Sequence, residues 1–86
     1  MAYFLYIVEC SDGSLYTGWT KDIVKRLHDH NDGKGAKYTR SRRPVVLKFI
    51  KEFPNKSTVL KMEYKIKQMS RKEKLALIQS NALQES

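Results

Sequence analysis

The sequence predicts an α+β domain in which helices flank a small, mostly antiparallel sheet of three strands. Two runs rich in β-branched and aromatic residues are joined by a short turn near the N-terminus, which indicates a β-hairpin. A third such run lies between two prolines, and the remaining segments show helical spacing with capping residues. The predicted order of elements is ββα(α)βαα.

The two N-terminal strands follow from two apolar runs. Residues 2–10 are nearly continuously apolar, β-branched or aromatic, which is typical of a strand buried on both faces. Residues 15–20 form a second run, and the Ser-Asp-Gly-Ser segment at 11–14 has the composition of a turn. The chain therefore opens with a β-hairpin.

The register of this hairpin decides where its tyrosines point. A three-residue loop at 11–13 pairs Tyr6 with Gly18, so that Tyr6 and Tyr16 share one face of the sheet. A two-residue turn would place them on opposite faces. The loop composition suits a type I turn followed by a left-handed glycine and a bulge. We therefore predict the three-residue loop, with Gly13 at positive φ, and a Gly18 whose missing side chain leaves space beside Tyr6 for a phosphate and a water.

Capping residues and prolines set the middle of the chain. Asp22 is a favourable N-cap for a helix that we expect to run through about Asn31. A short helical turn is expected within residues 36–43, and Pro44 ends it. The third strand spans residues 45–53 and has a proline on each side.

Two helices follow the third strand. Ser57 or Asn55 caps the first of them, which has an apolar stripe and is expected to run to about Gln68. The Ser-Arg-Lys-Glu segment at 70–73 has the capping-box pattern, and it opens a last helix that is expected to end near Ser80.

Length and composition indicate one small basic domain. The 86 residues allow one core, which we assign to residues 1–80, with residues 81–86 as a frayed tail. Seventeen Lys and Arg against nine Asp and Glu give a formal net charge of +8, which is typical of a protein that binds nucleic acid. The single cysteine, Cys10, excludes a disulfide framework and favours a reducing compartment. The N-terminal apolar run is too short for a signal peptide or a membrane span, so we expect a cytoplasmic monomer.

The segment between Gly33 and Glu52 is the most basic part of the chain. It has seven basic residues and no acidic one, and Gly33 and Gly35 would let its backbone approach phosphates closely. We interpret it as a track for a phosphate backbone, with a solvated loop as the alternative. The residues assigned to nucleic-acid binding are Gly18, Lys34, Lys37, Tyr38, Arg40, Arg42 and Arg43.

The hairpin also carries a resemblance to a known nuclease family. Phe-Leu-Tyr at 4–6 and Tyr-Thr-Gly at 16–18 resemble the paired motifs that name the GIY-YIG superfamily. The likeness covers roughly residues 3–78. It is greatest for the small stand-alone bacterial members, through Lys-Tyr-Thr-Arg at 37–40 and Arg-Pro at 43–44. Phe-Leu replaces Gly-Ile and Thr17 replaces Ile, at positions that do not carry the chemistry. The residues that match the family's catalytic positions are Tyr6, Tyr16, Arg26, His30 and Glu63.

The resemblance implies a single-metal nuclease, selective for strand or structure, with DNA favoured over RNA. Glu63 would hold one Mg²⁺ or Mn²⁺, Arg26 would steady the phosphate, and Tyr6 or Tyr16 would help to activate the attacking water. General chemistry agrees with these roles. The paired donors of a guanidinium suit the charged phosphoryl oxygens, and Mg²⁺ keeps most of its waters, so one carboxylate suffices. His30 would contact the phosphate or pack at the end of its helix.

The sequence leaves several alternatives open. A free phenol titrates near ~10, so a base that works near pH 7 needs a shift of about 3 units, and either tyrosine is a candidate. Arg26 and Glu63 also have a purely structural interpretation. Arg26 could form an i,i+4 ion pair with Asp22, and Glu63 could form one with Lys67. Glu63, however, lies at the rim of its helix's apolar stripe, which favours a functional carboxylate. The second functional hypothesis is a non-catalytic nucleic-acid-binding module of the same fold, and the third is a protein-interaction adaptor. As a nuclease, so small a domain would cut weakly or act with a partner protein.

Overall fold

The computed structural model describes the backbone of residues 2–85 and the side chains of residues 2–80. Within these residues it has a three-stranded antiparallel sheet and four helices, which confirms the predicted α+β class and the order of elements. The strands are β1 (Tyr3–Glu9), β2 (Leu15–Thr20) and β3 (Val46–Phe53). The helices are α1 (Ile23–Asn31), α2 (Lys37–Arg40), α3 (Lys56–Lys67) and α4 (Arg71–Glu85).

Strand β1 lies at the centre of the sheet, in the order β2-β1-β3, and separates two cores. Its four residues at positions 5–8 are all buried, as predicted for a strand covered on both faces. The side chains alternate between the faces because successive residues of a strand point to opposite sides. The core under α3 and α4 contains Leu5, Ile7, Phe49, Val59 and Ile66. The core on the α1 side contains Tyr6, Val8, Cys10 and Val45, with Tyr16, Ile23, Leu27 and Leu47 against it.

The helices begin where the capping residues predict. The Asp22 carboxylate accepts the Lys25 amide at 3.1 Å, and Asn55 rather than Ser57 caps α3. Ser70 and Glu73 exchange the two hydrogen bonds of a capping box, at 3.0 and 3.2 Å.

The last helix runs further than predicted. Its backbone continues to Glu85, past the expected end near Ser80, because the Asn-Ala-Leu-Gln-Glu sequence offers neither glycine nor proline to stop it. We predicted a frayed tail at residues 81–86. The side chains of these residues, and the whole of the last one, lie outside the described part of the chain. None of the helices within residues 2–85 has the length and apolarity to cross a bilayer.

The loop of the hairpin is fastened by segments that come much later in the chain. Arg42 Nε lies 3.1 Å from the Asp12 carboxylate, and the Arg42 carbonyl accepts the Ser11 amide at 2.9 Å. On the other side, Arg71 Nη1 donates to the Gly13 carbonyl at 2.6 Å. The turn that sets the register of β1 and β2 is therefore held by both the α2–β3 connection and the start of α4.

Candidate active site

The hairpin places both predicted tyrosines on one face of the sheet. A backbone hydrogen bond of 2.8 Å across the base of the loop at 11–13 closes it, and Tyr6 lies directly opposite Gly18. Tyr16 precedes Gly18 by two residues and therefore shares its face. Gly13 has a φ of +83°. The predicted register and the predicted conformation of the loop are both confirmed.

The hydroxyl of Tyr6 is the point where strand and helix side chains meet. Arg26 Nε donates to it at 3.2 Å, and His30 Nε2 lies 2.8 Å from it. Arg26 and His30 are one turn apart on α1, so both side chains leave the same face of the helix. Tyr6 and His30 are 1% and 0% exposed. The alternative ion pair between Arg26 and Asp22 is not formed, because Asp22 caps the helix.

The second ring nitrogen of His30 has a partner that the sequence did not reveal. His30 Nδ1 lies 2.7 Å from Thr39 Oγ1, and this hydroxyl lies 3.0 Å from the carbonyl oxygen of Ala36. Thr39 is fully buried, on the short helix α2. Tyr6, His30 and Thr39 thus form a buried row of hydrogen-bonded side chains that links β1, α1 and α2. All three residues lie in segments that carry the family resemblance, but that resemblance does not pair them, so only the folded chain shows the row.

Two glycines expected to approach phosphates instead accommodate side chains of the protein. A Cβ on Gly35 would lie 2.8 Å from His30 Cγ and 2.9 Å from His30 Cα, so the missing side chain lets the backbone lie against the imidazole. Gly33, with a φ of +82°, lies beside the Arg43 guanidinium, to which a Cβ would come within 3.1 Å. The positive φ of Gly33 and the missing side chain of Gly35 are thus both used within the fold.

Gly18 likewise faces a side chain rather than an open space. A Cβ there would lie 2.6 Å from the Tyr6 hydroxyl, 2.8 Å from Tyr6 Cζ and 3.3 Å from Tyr16 Cε2. The volume that we expected to hold a phosphate and a water is occupied by the Tyr6 phenol. Gly18 is therefore the reason that this phenol can cross β2 towards α1.

A row of planar groups leads from His30 to the surface. The Tyr16 ring meets His30 edge to face at 5.6 Å, and it stacks on Tyr38 at 6.0 Å with 20° between the planes. The Arg42 guanidinium lies 4.0 Å from the centre of the Tyr38 ring. Tyr38 is 40% exposed, so the outermost aromatic ring of this row is accessible to solvent.

Two of the arginines predicted to bind phosphates donate hydrogen bonds to backbone carbonyls. Arg42 donates to the Tyr38 carbonyl at 2.7 Å. Arg43 donates to the carbonyls of Arg40 and Asn31, at 3.0 and 3.3 Å. Both side chains therefore shape the α2–β3 connection. The other basic residues assigned to this segment, Lys34, Lys37 and Arg40, are exposed.

Glu63 lies on α3, which packs against β1 and β2. Its side chain is 19% exposed, and the predicted pair with Lys67 is present, with 3.5 Å between Nζ and Oε2. Burial is the main cause of the raised pKa of Tyr6, and the negative charge of Glu63 adds to it. Within the described residues, no three side chains of His, Cys, Asp or Glu gather in one place. A single carboxylate fits Mg²⁺, which keeps most of its waters, better than Zn²⁺, which requires several protein ligands.

An open pocket of about 390 Å³ lies beside Arg26. Its lining combines an indole ring with charged side chains at the start of α1. It is formed by Trp19, Thr20, Lys21, Asp22, Lys25, Arg26 and Asp29. Arg26 therefore contacts the buried phenol through Nε and borders an open, partly basic pocket.

Burial changes the protonation chemistry of the central pair. It raises the pKa of the Tyr6 phenol above its ordinary value of 10.0, although the hydrogen bond and charge of Arg26 oppose the rise. Burial also lowers the pKa of His30 below its ordinary value of 6.5, and the charge of Arg26 lowers it further. Both groups are consequently neutral near pH 7. A free phenolate at Tyr6 is therefore disfavoured.

Comparison with known proteins supports what the paired motifs and this cluster suggest. Residues 2–76 match the family model described as the GIY-YIG catalytic domain. The chain belongs to the GIY-YIG family. The catalytic positions of this GIY-YIG domain remain predictions, and Tyr6, Tyr16, Arg26 and His30 are the ones that directly meet.

Close relatives of this GIY-YIG domain have a comparable length. The UPF0213 protein SSP2268 of Staphylococcus saprophyticus is 58% identical over 76 residues, which are 88% of this chain and 93% of that protein. A UPF0213 protein of Syntrophus aciditrophicus is 60% identical over 79 residues, 91% of each chain. These figures support the predicted membership of a small bacterial group.

Two solution NMR structures also resemble this chain. The UPF0213 protein BH0048 from Bacillus halodurans is 46% identical with a TM-score of 0.61, and the match covers 92% of this chain and 84% of that one. The protein EF2693 from E. faecalis is 35% identical with a TM-score of 0.67, over 96% and 88% of the two chains. The likeness therefore extends over nearly the whole GIY-YIG domain.

Proposed function

We propose that this GIY-YIG domain is a metal-dependent endonuclease that hydrolyses a phosphodiester of nucleic acid, DNA in preference to RNA, in the cytoplasm. The observation that carries the proposal is the buried contact of the Tyr6 phenol with Arg26 and His30. It places a fixed positive charge, a hydroxyl and a neutral imidazole within hydrogen-bonding distance of one another, and the Arg26 of this cluster also lines an open pocket. Burying charged and polar groups of this kind costs free energy. Groups whose pKa is shifted by burial and by a neighbouring charge are common at catalytic sites.

Arg26 is proposed to hold the scissile phosphate. Its Nε donates to the Tyr6 hydroxyl at 3.2 Å, which orients the guanidinium. The two terminal nitrogens then remain for a phosphate in the pocket that Arg26 lines. A donor that is already oriented stabilises the charge that develops on the phosphoryl oxygens without reorganising during the reaction.

Of the two tyrosines, Tyr6 is proposed to take up the proton of the attacking water. Its raised pKa opposes a standing phenolate, so its own proton has to leave as the water proton arrives. His30 Nε2 is 2.8 Å away and neutral, and it accepts that proton. The water oxygen bonds to phosphorus, the bond to the leaving oxygen breaks, and the leaving oxygen takes a proton from solvent. Tyr16 packs against His30 and keeps the ring in place.

Glu63 is proposed to hold a single Mg²⁺ or Mn²⁺ through its carboxylate. Lys67 is 48% exposed, so it can release Glu63 when a cation binds. A bound divalent cation supplies Lewis-acid stabilisation of charge on the phosphoryl and leaving oxygens. The Glu63–Lys67 pair also supports a second candidate, a non-catalytic binding module in which this carboxylate stays paired with lysine.

A cleavage panel separates the two candidates. We expect the purified domain to cut at least one of single-stranded, duplex, flap or branched substrates, as DNA or RNA, with Mg²⁺ or Mn²⁺. Cleavage should stop when a chelator removes the metal, because Glu63 then has no cation to present. Gel analysis of end-labelled substrates measures this, and a parallel filter-binding assay measures affinity. Binding without cleavage across the whole panel would favour the binding module.

The nucleic acid is proposed to cross the site between two basic surfaces. The pocket-side surface consists of Lys21, Lys25 and Lys56, and Lys56 Nζ lies 5.5 Å from the centre of the Trp19 ring in the same area. The loop-side surface consists of Lys34, Lys37 and Arg40, beside the exposed Tyr38. Lysines placed next to accessible aromatic rings suit a phosphate backbone with bases that stack.

Replacing the three residues of either surface with Gln should weaken binding and flatten its dependence on salt. If each contacts one phosphate, the slope of log affinity against log salt falls by about 2 to 3 in magnitude. Titrations at several salt concentrations give the slope. Arg42 and Arg43 are left unchanged because their loss would disturb the loop itself.

The matched control changes three other exposed lysines. Lys61 and Lys65 border a separate groove with Phe53 and Met62, and Lys72 is exposed near the start of α4. Replacing Lys61, Lys65 and Lys72 with Gln removes the same net charge elsewhere on the domain. A control as weak in binding as the two surface variants would show that net charge alone attracts the nucleic acid.

A further inference from the structure

The buried row of Tyr6, His30 and Thr39 has only one consistent direction of hydrogen bonding. Within the described residues, the Tyr6 hydroxyl has two partners, Arg26 Nε and His30 Nε2. Arginine can only donate, so the phenol proton has one acceptor available, which is Nε2 of His30. If His30 donated instead, the hydroxyl proton of Tyr6, which is 1% exposed, would be buried without an acceptor.

The opposite end of the row is consistent with this direction. The Thr39 hydroxyl lies 3.0 Å from the Ala36 carbonyl, which also accepts the amides of Thr39 and Arg40 at 3.2 Å. Because Nε2 of His30 accepts from Tyr6, the neutral ring has its proton on Nδ1, and Thr39 directs its own proton to that carbonyl. Thr39 Oγ1 then meets His30 Nδ1, at 2.7 Å, as an acceptor. A neutral imidazole has one N–H, and on Nδ1 it has this acceptor. Nε2 is left with a lone pair directed at Tyr6.

The residues around the His30 imidazole hold it in this contact with Thr39. The Gly35 backbone lies so close to the imidazole that a Cβ there would be 2.8 Å from His30 Cγ. The rings of Tyr6 and Tyr16 meet it edge to face, at 5.7 and 5.6 Å. The imidazole therefore has one orientation, because a flip of the ring would put carbon atoms in place of both nitrogens and lose both hydrogen bonds.

We propose that Thr39 is a positioning residue that holds His30 in the Nδ1–H tautomer, so that Nε2 can accept the proton of Tyr6. The catalytic consequence rests on the proposed nuclease function. Without the hydroxyl, Nδ1–H loses its acceptor, and the Nε2–H tautomer, which donates to Tyr6 and cannot receive its proton, gains population. A segment that we predicted to bind a phosphate backbone would thus select the tautomer of His30.

Thr39→Val is the informative variant, because it removes the hydroxyl and keeps the branched shape. Long-range ¹⁵N–¹H NMR of the histidine rings should show wild-type His30 protonated at Nδ1 and unprotonated at Nε2. Thr39→Val should move His30 towards the Nε2–H form, and Thr39→Ser, which keeps the hydroxyl, should retain the wild-type tautomer. The exposed His28 serves as the reference in the same spectra.

The cleavage assay supplies the second measurement. We expect Thr39→Val to lower kcat by about tenfold or more at nearly unchanged KM, and Thr39→Ser to restore most of it, because the change affects a proton transfer and not substrate contacts. An Nε2–H tautomer in the wild type, an unchanged tautomer in Thr39→Val, or a normal kcat in Thr39→Val would each overturn the proposal. The wild-type spectrum tests the predicted Nδ1–H tautomer even if Thr39→Val does not fold. The expected tautomers in a domain that cuts nothing would instead refute the nuclease function and leave the structural role of Thr39 intact.

Discussion

Glu63→Gln is expected to abolish metal-dependent cleavage while leaving nucleic-acid affinity close to that of the wild type. The substitution keeps the shape of the side chain and removes the negative charge, and a hard divalent cation binds a neutral amide far more weakly than a carboxylate. The loss of metal-assisted charge stabilisation should reduce kcat by at least about a hundredfold. Single-turnover cleavage in Mg²⁺ measures the rate, and a binding titration in the presence of chelator measures the affinity.

Two controls separate this effect from the loss of an ion pair. Lys67→Gln removes the partner of Glu63 and keeps the carboxylate, so cleavage should stay normal or rise, because the lysine no longer competes with the cation. The 3.5 Å pair is partly exposed and contributes at most about 1 kcal/mol, so neither variant should unfold the domain. Glu52→Gln makes the same chemical change at an exposed position of β3 and should be silent. Wild-type cleavage by Glu63→Gln would exclude Glu63 as the metal ligand.

Gly18→Ala should have an effect of similar size without touching any charged group. The new Cβ would lie 2.6 Å from the Tyr6 hydroxyl and 2.8 Å from Cζ, closer than nonbonded atoms approach. The phenol is buried on all sides, so it must leave its contacts with Arg26 and His30. We expect cleavage to fall by about a hundredfold and the free energy of unfolding to fall by about 1 to 3 kcal/mol, as overpacking does in cores.

Gly13→Ala distinguishes a specific effect from a general loss of stability. A Cβ at Gly13 meets nothing within 4 Å, but its φ of +83° disfavours any residue with a side chain. This variant should lose about 1 to 2 kcal/mol of unfolding free energy while the Tyr6 contacts persist. Urea unfolding and cleavage, measured on both variants, give the comparison. If the two glycine variants lose activity in proportion to stability, Gly18 has no role beyond the fold.

The elements and the hairpin register were predictable because local chemistry determines them. The three-residue loop ends in a glycine with positive φ, and that loop alone puts Tyr6 opposite Gly18. Asp22 and Ser70 each start a helix through a side chain only three residues from its partner. The end of α4 was missed because helix termination has no equally strong signal in a stretch of helix-compatible residues.

The interior of the site was not predictable, because its contacts join residues that are distant in sequence. Tyr6 and His30 are separated by 24 positions, and nothing in either local pattern indicates a hydrogen bond between them. Arg43 shows the same limit for charge. The sequence shows that Arg43 has hydrogen-bond donors, but only the folded backbone shows that they reach the carbonyls of Arg40 and Asn31.

The division of the interior by β1 bears on how this domain can be engineered. The side that carries Leu5 and Ile7 packs under α3 and α4, whereas the side that carries Tyr6 and Val8 holds the buried hydroxyl and imidazole groups. Stabilising substitutions often reduce activity when they rigidify or reshape a functional site, and the hydrogen-bonded side chains of Tyr6 and His30 lie on the second of these sides. The α3–α4 layer can be repacked for thermostability, provided that Glu63, the proposed metal ligand, is kept.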